Sequence, residues 1–347
     1  MGERNSSDDG LDRDRLESWF RETLDGVVPP LRYERIAGGR SNLTFRVADA
    51  GDGSWILRRP PLGRTLGSAH DMGREHRILT GLEGADVPTP RPLALCHDES
   101  VTGAPFYVME LVDGLVLREE DDVRAAFDED GRHRLGEALV DTLAELHAVD
   151  PDAAGLGQLG RRDGYAERQL KRWKRQWEAS KTREIDAMEE THALLSERVP
   201  PQHDTAIVHG DYRLDNVIVT PGGDIAAVLD WELCTLGDPL ADLGQLMVYW
   251  AEGSDKVVPL TRAPTLAPGF PTRTELVERY MARSGRDVAQ LDFFVALAYW
   301  KLAAILEGVY ARYAAGAYGE TSDEFRSFGE IVEHLADAAV AAARRLE

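Results

Sequence analysis

Lysine is scarce in this chain. Of 347 residues only five are lysine (Lys171, Lys174, Lys181, Lys256 and Lys301), and none precedes position 171. Any cationic chemistry in the first 170 residues therefore falls to arginine or histidine. Cysteine is scarcer still: Cys96 and Cys234 stand far apart, which excludes a disulfide framework and Cys/His zinc spacing and suits a reducing, cytoplasmic setting. The opening MGERNSSDDG has no apolar run, and no stretch approaches eighteen uninterrupted apolar residues. Neither secretion nor a membrane span is expected. There is no G-x-S-x-G elbow and no metal-binding histidine cluster, so hydrolase chemistry has no motif to stand on.

The formal net charge is −21. Binding to nucleic acid by counterion release needs clustered Lys and Arg, so nucleic acid is not an expected partner. The acidity reads either as a solvation adaptation to high salt or as attraction for a polycationic substrate. Its spread along the whole chain favours the first. The length suits one two-lobed catalytic unit or two modest domains.

The chain is organised around Ala206 to Gly244. A short apolar strand (Ala206–Val208) runs into a polar loop. A second strand (Val217–Val219) follows, then a turn at Pro221-Gly222-Gly223-Asp224 and a third strand, Ile225–Leu229, that stops at Asp230. Apolar strands bounded by Gly and Pro predict a small buried hairpin. It carries Asp211, Asn216 and Asp230. The spacing His209-Gly210-Asp211, four residues, Asn216, with a later strand ending on Asp, follows the H-R-D-x-x-x-x-N pattern of protein kinases. In that chemistry one carboxylate accepts the proton of an attacking hydroxyl, while an amide and a second carboxylate hold the metal that bridges the phosphates. A lone HGD would mean little among 61 acidic residues; the conjunction carries the reading. Arg213 sits two residues beyond Asp211, where it can stabilise charge on the transferring group. His209 is read as bracing the loop rather than titrating.

Elsewhere, periodicity predicts an amphipathic helix over Leu11–Leu24 and strands at Tyr33–Ile36, Asn42–Val47 and Trp55–Arg58. A helix is expected over Ser68–Leu82, and β-rich runs at Leu93–Cys96 and Phe106–Leu111. From Gly131 the pattern is mainly helical, and three helices finish the chain. The predicted helix Tyr165–Ser180 places Leu170, Trp173 and Trp177 on one face and Arg168, Arg172 and Arg175 on another. Between Arg161 and Arg183 nine basic residues stand against three acidic ones. This is either a solvated face or an anion-binding surface; in the second case Arg168, Arg172, Arg175 and Trp173 are the candidate substrate contacts.

HGDYRLDN (His209–Asn216), VLDWE (Val228–Glu232) and GDPLADL (Gly237–Leu243) resemble the aminoglycoside-phosphotransferase-like branch of the kinase-like superfamily. The match extends to WILRRPP (Trp55–Pro61), SAHDMGREHRIL (Ser68–Leu79) and PFYVMELVDG (Pro105–Gly114), over about residues 30 to 310. Within that branch the sequence is most similar to the kinase-like domain of acyl-CoA dehydrogenase family proteins. The resemblance implies an α+β, two-lobed protein-kinase-like fold. A small, mainly antiparallel β N-lobe would span 1–112 and a larger, mainly helical C-lobe 113–347. It implies ATP and Mg²⁺, with Gly38, Gly39 and Ser41 in a loop over the phosphates. Arg58, or the adjacent Arg59, stands where kinases carry a phosphate-gripping lysine, and Glu75 would pair with it. Backbone groups near Glu110 and Val112 would meet the adenine edge. The expected function is phosphorylation of a small molecule's hydroxyl, with a hydroxyacyl-CoA-like anion as acceptor. The alternatives are an aminoglycoside or amino-alcohol kinase and a non-catalytic nucleotide-binding regulatory module.

Overall fold

A computed structural model describes residues 11–36, 42–61, 71–255, 263–314 and 323–346, with the side chains of the last segment described from 328 onward. The chain divides into two compact units. The smaller comprises Met1–Gly114 with Ala226–Leu233, the larger Leu115–Ile225 with Cys234–Glu347.

The smaller unit opens with α1 (Arg13–Thr23), capped by the Asp12 side chain accepting from the Arg15 N–H. Its Leu16 and Phe20 face inward. Strands β1 (Arg32–Arg35), β2 (Leu43–Ala48), β3 (Ser54–Arg59), β4 (Pro92–Cys96) and β5 (Phe106–Glu110) form one antiparallel sheet in the order β1-β2-β3-β5-β4. Period-two alternation along β2 buries Phe45 and Val47. These residues, Leu57, Phe106 and Val108 join Leu16 and Phe20 in the core. Edge-to-face rings tie helix to sheet: Trp19 lies 4.7 Å from Phe106 and Phe20 5.7 Å from Trp55. Helix α2 (Met72–Leu82) starts at the cap Asp71 and buries Glu75, Ile78 and Leu79. A four-residue α3 (Glu99–Thr102) completes the continuous part of this unit.

The larger unit is mostly helical. It holds α4 (Glu120–Ala126), α5 (Glu129–Ala148), α6 (Tyr165–Ser180), α7 (Asp186–Glu197), α8 (Leu240–Tyr249), α9 (Arg273–Ser284), α10 (Leu291–Ala314) and α11 (Asp323–Ala343). Between α7 and α8 come the short strands β6 (Ala206–Val208), β7 (Val217–Val219), β8 (Ile225–Val228) and β9 (Thr235–Gly237). β6 and β9 pair antiparallel, with Ile207 opposite Leu236, while β8 is where the chain leaves the larger unit for the smaller. Helix α10 is long and apolar enough to pass for a membrane span, yet 61% of its most apolar stretch is buried. It is the core helix, packed by α6, α7, α8 and α11. Polar side chains hold the described part of the stretch before α9. Thr265 Oγ1 accepts from the Ala251 N–H, and the Arg132 guanidinium donates to Pro268 O at 2.5 Å. The part of this stretch that is described is therefore pinned to its own unit.

Candidate active site

In the smaller unit, adjacent arginines on β3 take opposite faces. Arg59 is buried, with Nε 3.3 Å from Pro60 O. Arg58, opposite Tyr107 in the β3–β5 register, enters a polar cluster. Its Nε lies 2.9 Å from Glu75 Oε2 and its Nη2 2.5 Å from Asp230 Oδ1, with Glu232 Oε2 at 3.8 Å. Glu75 also accepts from the Tyr107 hydroxyl at 3.1 Å and from Asn42 Nδ2 at 3.0 Å, and Asn42 bonds Glu232 at 3.1 Å. One guanidinium thus serves three carboxylates. Burial pushes the Glu75 carboxyl above its ordinary range despite the Arg58 charge, and burial with the Glu75 charge raises the Tyr107 hydroxyl. Burial would lower the Arg58 pKa, but Glu75, Tyr107 and Asp230 outweigh it, and the guanidinium is held more firmly charged.

Asp230 follows β8 with φ +66°, alone among the described non-glycine residues in taking a positive φ. Asp tolerates this left-handed conformation better than bulkier residues, and here it ends the strand and turns the carboxylate toward Arg58.

In the larger unit, β6 delivers the loop His209–Asp215. Gly210 has φ +85°, which glycine adopts without strain. Asp211 receives a hydrogen bond on each oxygen: Asn216 Nδ2 donates to Oδ2 at 2.9 Å and Gln245 Nε2 to Oδ1 at 2.8 Å. Asn216 Nδ2 also bonds Asp211 O at 2.9 Å, so its carbonyl oxygen faces the other way. Arg213 lies 3.5 Å from Asp211 Oδ2 and 2.9 Å from Asp215 Oδ2, with its guanidinium 4.9 Å from the Tyr249 ring centroid. Burial raises the Asp215 pKa despite that pairing. The His209 Nδ1 accepts from the Asp211 N–H at 3.2 Å, a loop-internal brace.

The loop is moored by Asp242 in the first turn of α8. This buried carboxylate accepts from His209 N at 2.6 Å, Gly210 N at 2.8 Å and His147 Nε2 at 3.3 Å. Burial alone would raise its pKa; the His147 bond and charge and the backbone donors outweigh that and lower it. Burial lowers the His147 pKa. With Asp242 ionised, His147 carries its proton on Nε2, and Nδ1 accepts from the Tyr280 hydroxyl at 2.8 Å.

The basic helix α6 is largely committed to its own neighbours. Lys174 pairs with Glu178 and Glu189, Lys181 with Glu178 and Glu184, and Arg183 with Glu307 and Glu333. Arg168 donates to the backbone carbonyls of Arg161 and Asp163. Arg172 covers the buried Trp173 ring at 5.2 Å. Arg172 and Arg175 are exposed and make no ion pair among the described residues.

Gly38, Gly39 and Ser41 lie outside the described residues. Glu110 donates its N–H to Arg91 O at 3.0 Å, which leaves its carbonyl as the group it could offer to the adenine edge. The backbone of Val112 makes no hydrogen bond among the described residues. Sequence reasoning did not reach Asn42, Tyr107 and Glu232 in the smaller unit, or Gln245, Lys301 and the His147–Tyr280 pair in the larger. Lys301 alone left a signal: it is one of five lysines and interrupts the apolar run FFVALAYWKLAAIL.

An antiparallel five-stranded unit with a buried Arg–Glu pair, joined to a helical unit with an aspartate–asparagine loop, has the make-up of a kinase-like phosphotransferase. Residues 32–304 match the APH family, described as the phosphotransferase enzyme family, and the chain belongs to it. It is 37% identical over 360 residues to acyl-CoA dehydrogenase family member 11 of Gallus gallus, across 97% of this chain and 44% of that protein. The chain therefore spans less than half the length of this curated relative. A solved protein from Ralstonia eutropha, whose aminoglycoside phosphotransferase name is itself provisional, superposes with TM-score 0.83 at 33% identity. That match covers 97% of this chain and 99% of the other. An aminoglycoside phosphotransferase solved with AMP-PNP and hygromycin B superposes with TM-score 0.60 at 16% identity, over 94% and 98%, a likeness of fold alone. The fold is the two-lobed α+β protein-kinase-like one.

Proposed function

We propose that the chain is an ATP- and Mg²⁺-dependent phosphotransferase that phosphorylates a hydroxyl of a small molecule. The observation that carries this reading is the setting of Asp211. Each carboxylate oxygen already accepts one amide hydrogen, from Asn216 and Gln245, and lone pairs remain to take the proton of an attacking hydroxyl. Arg213, held by Asp215 and stacked on Tyr249, supplies positive charge for the equatorial oxygens of the transferring group. Arg58 is the cation for the nucleotide phosphates, and Val112 offers its backbone to the adenine.

Each donor, taken by itself, suits a hard divalent cation. The Asn216 carbonyl oxygen accepts no bond among the described residues, and Asp230 keeps one oxygen beside the one bound to Arg58. No described group of three or more His, Cys, Asp or Glu is placed to hold a metal by itself. Mg²⁺ needs none, since one or two protein oxygens plus phosphates and water satisfy it. Asn216 of the larger unit and Asp230 of the smaller are each a candidate ligand, and a metal held there would neutralise charge on the nucleotide.

For the acceptor we favour an anionic, partly apolar molecule such as a hydroxyacyl-CoA. Exposed Arg172 and Arg175 support it, as does the acyl-CoA dehydrogenase name of the relative. An aminoglycoside or amino alcohol is the competing acceptor. The test is ADP release with hydroxyacyl-CoAs, aminoglycosides, amino alcohols and sugars, in the wild type and in Asp211→Asn. Turnover with one acceptor class, lost in the variant while ATP still binds, is expected. Equal turnover in Asp211→Asn removes that residue from the mechanism. ATP binding without turnover for any acceptor favours a regulatory nucleotide-binding module instead.

A further inference from the structure

Lys301 projects from the core helix α10 toward the loop that carries Asp211. Its Nζ donates to Gly210 O at 2.8 Å and to Gln245 Oε1 at 2.6 Å, and it lies 5.7 Å from the Trp173 ring centroid. Gln245 passes the contact on, since its Nε2 is the donor to Asp211 Oδ1. A small cavity lined by Tyr165, Gly210, Gln245, Phe294, Leu297 and Lys301 adjoins this chain of bonds.

The chemistry of the three groups leaves one arrangement. An ammonium has donors only and a carboxylate acceptors only. The carboxamide between them must therefore turn its oxygen to Lys301 and its N–H₂ to Asp211. The flipped amide would set like against like at both ends. Lys301 makes no ion pair of its own among the described residues, and burial lowers its pKa. An ammonium taken out of water without a carboxylate partner is a poor source of stability.

We propose that Lys301 is a positioning residue for phosphoryl transfer: acting through the Gln245 carboxamide, it fixes the orientation of the Asp211 carboxylate. The consequence for turnover rests on the phosphotransferase reading above; the geometry does not.

The test uses the full chain in Lys301→Met, Lys301→Arg, Gln245→Leu and the Lys301→Met/Gln245→Leu double variant. Crystal structures should show the Asp211 carboxylate turned in Lys301→Met and returned to place in Lys301→Arg. With Mg·ATP and water as acceptor, kcat for ADP release should fall about 100-fold in Lys301→Met, as expected when a reacting group is misplaced by about an ångström. The KM for ATP should stay within about twofold, while Tm falls modestly because Gly210 O and Gln245 Oε1 lose their donor. The double variant should lose no more than Gln245→Leu alone, since one line of contact is being cut twice. An unmoved Asp211 carboxylate in Lys301→Met, or additive losses, overturns the proposal. Absence of ADP release in the wild type counts against the phosphotransferase reading only, and the crystallographic arm still decides the role of Lys301.

Discussion

Asp242 Oδ2 lies 2.6 Å from the backbone nitrogen of His209, and the whole loop bearing Asp211 hangs from that contact and its neighbour at Gly210. The bond joins a helix first turn to a strand end within one unit. It makes the position of a surface-facing carboxylate depend on a fully buried one.

Removing that anchor should be costly. Asp242→Ala would orphan two buried backbone donors and leave His147 Nε2 without its acceptor. Breaking such a buried charged network costs about 3–5 kcal/mol. In a unit of this size that is a fall in Tm of about 6 °C or more. Asp242→Asn, which keeps one oxygen, should lose less. Calorimetry on both variants checks the order, and an Asp242→Ala protein as stable as wild type would refute the mooring role.

The same network predicts a pH effect. The folded-state pKa of His147 is depressed by burial, so the unfolded chain binds its proton more readily. Stability from this group is complete above about pH 6.5 and declines as pH falls below it. Asp242 acts in the same direction lower down: its depressed pKa gives stability that is present above its unfolded value and lost as pH falls through the folded one. Asp238 works the opposite way, because burial raises it to about 6 and its contribution is lost as pH rises to that value. Comparing wild type with His147→Gln cancels Asp238 and isolates the histidine. The Tm advantage of wild type should shrink between pH 7 and 5.5.

A third expectation concerns packing. A Cβ on Gly244 of α8 would sit 2.7 Å from the backbone carbon of Phe294 on α10, and 2.9 Å from its Cβ and O. Backbone cannot swing aside as a flexible side chain can, so Gly244→Ala forces the two helices apart. Overpacking of this kind costs about 1–3 kcal/mol, against at most about 1 kcal/mol gained from helix propensity. Denaturant titration should show a net loss. A gain would mean that α8 and α10 sit less tightly than their contact indicates.

Much of this architecture was legible beforehand, for a physical reason. Strand and helix order follow hydrophobic periodicity, which is local. Arg32–Arg35, Leu43–Ala48, Ser54–Arg59 and Phe106–Glu110 fall within a residue or two of the expected elements. The H-x-D-x₄-N spacing was readable because loop length fixes it. What sequence could not supply was which distant side chain completes each polar group. Asn42 and Tyr107 meet on Glu75 from β2 and β5, and Gln245 and Lys301 reach the Asp211 loop from α8 and α10. Nothing in one chain's order announces such partners. The nine basic residues of Arg161–Arg183 show the same limit. Their excess charge looked free in sequence, yet four of them are taken up by acids, including Asp152, Glu189, Glu307 and Glu333 from outside that segment.

The last prediction separates stability from binding at Arg58. Arg58→Met leaves Glu75, which is 2% exposed, without its guanidinium and beside Asp230 and Glu232. Stranding a buried carboxylate costs about 3–5 kcal/mol. Adding Glu75→Gln removes the stranded charge while keeping an oxygen for the Tyr107 hydroxyl. The pair should therefore lose less than the two single losses summed, with a coupling of about 1 kcal/mol or more. If Arg58 has its proposed role, Mg·ATP affinity, measured by calorimetry, should stay weak in both Arg58→Met backgrounds, because neither restores the cation. Were affinity to recover with stability, Arg58 would act on the nucleotide only by holding its unit together, and the phosphate grip would have to come from another arginine.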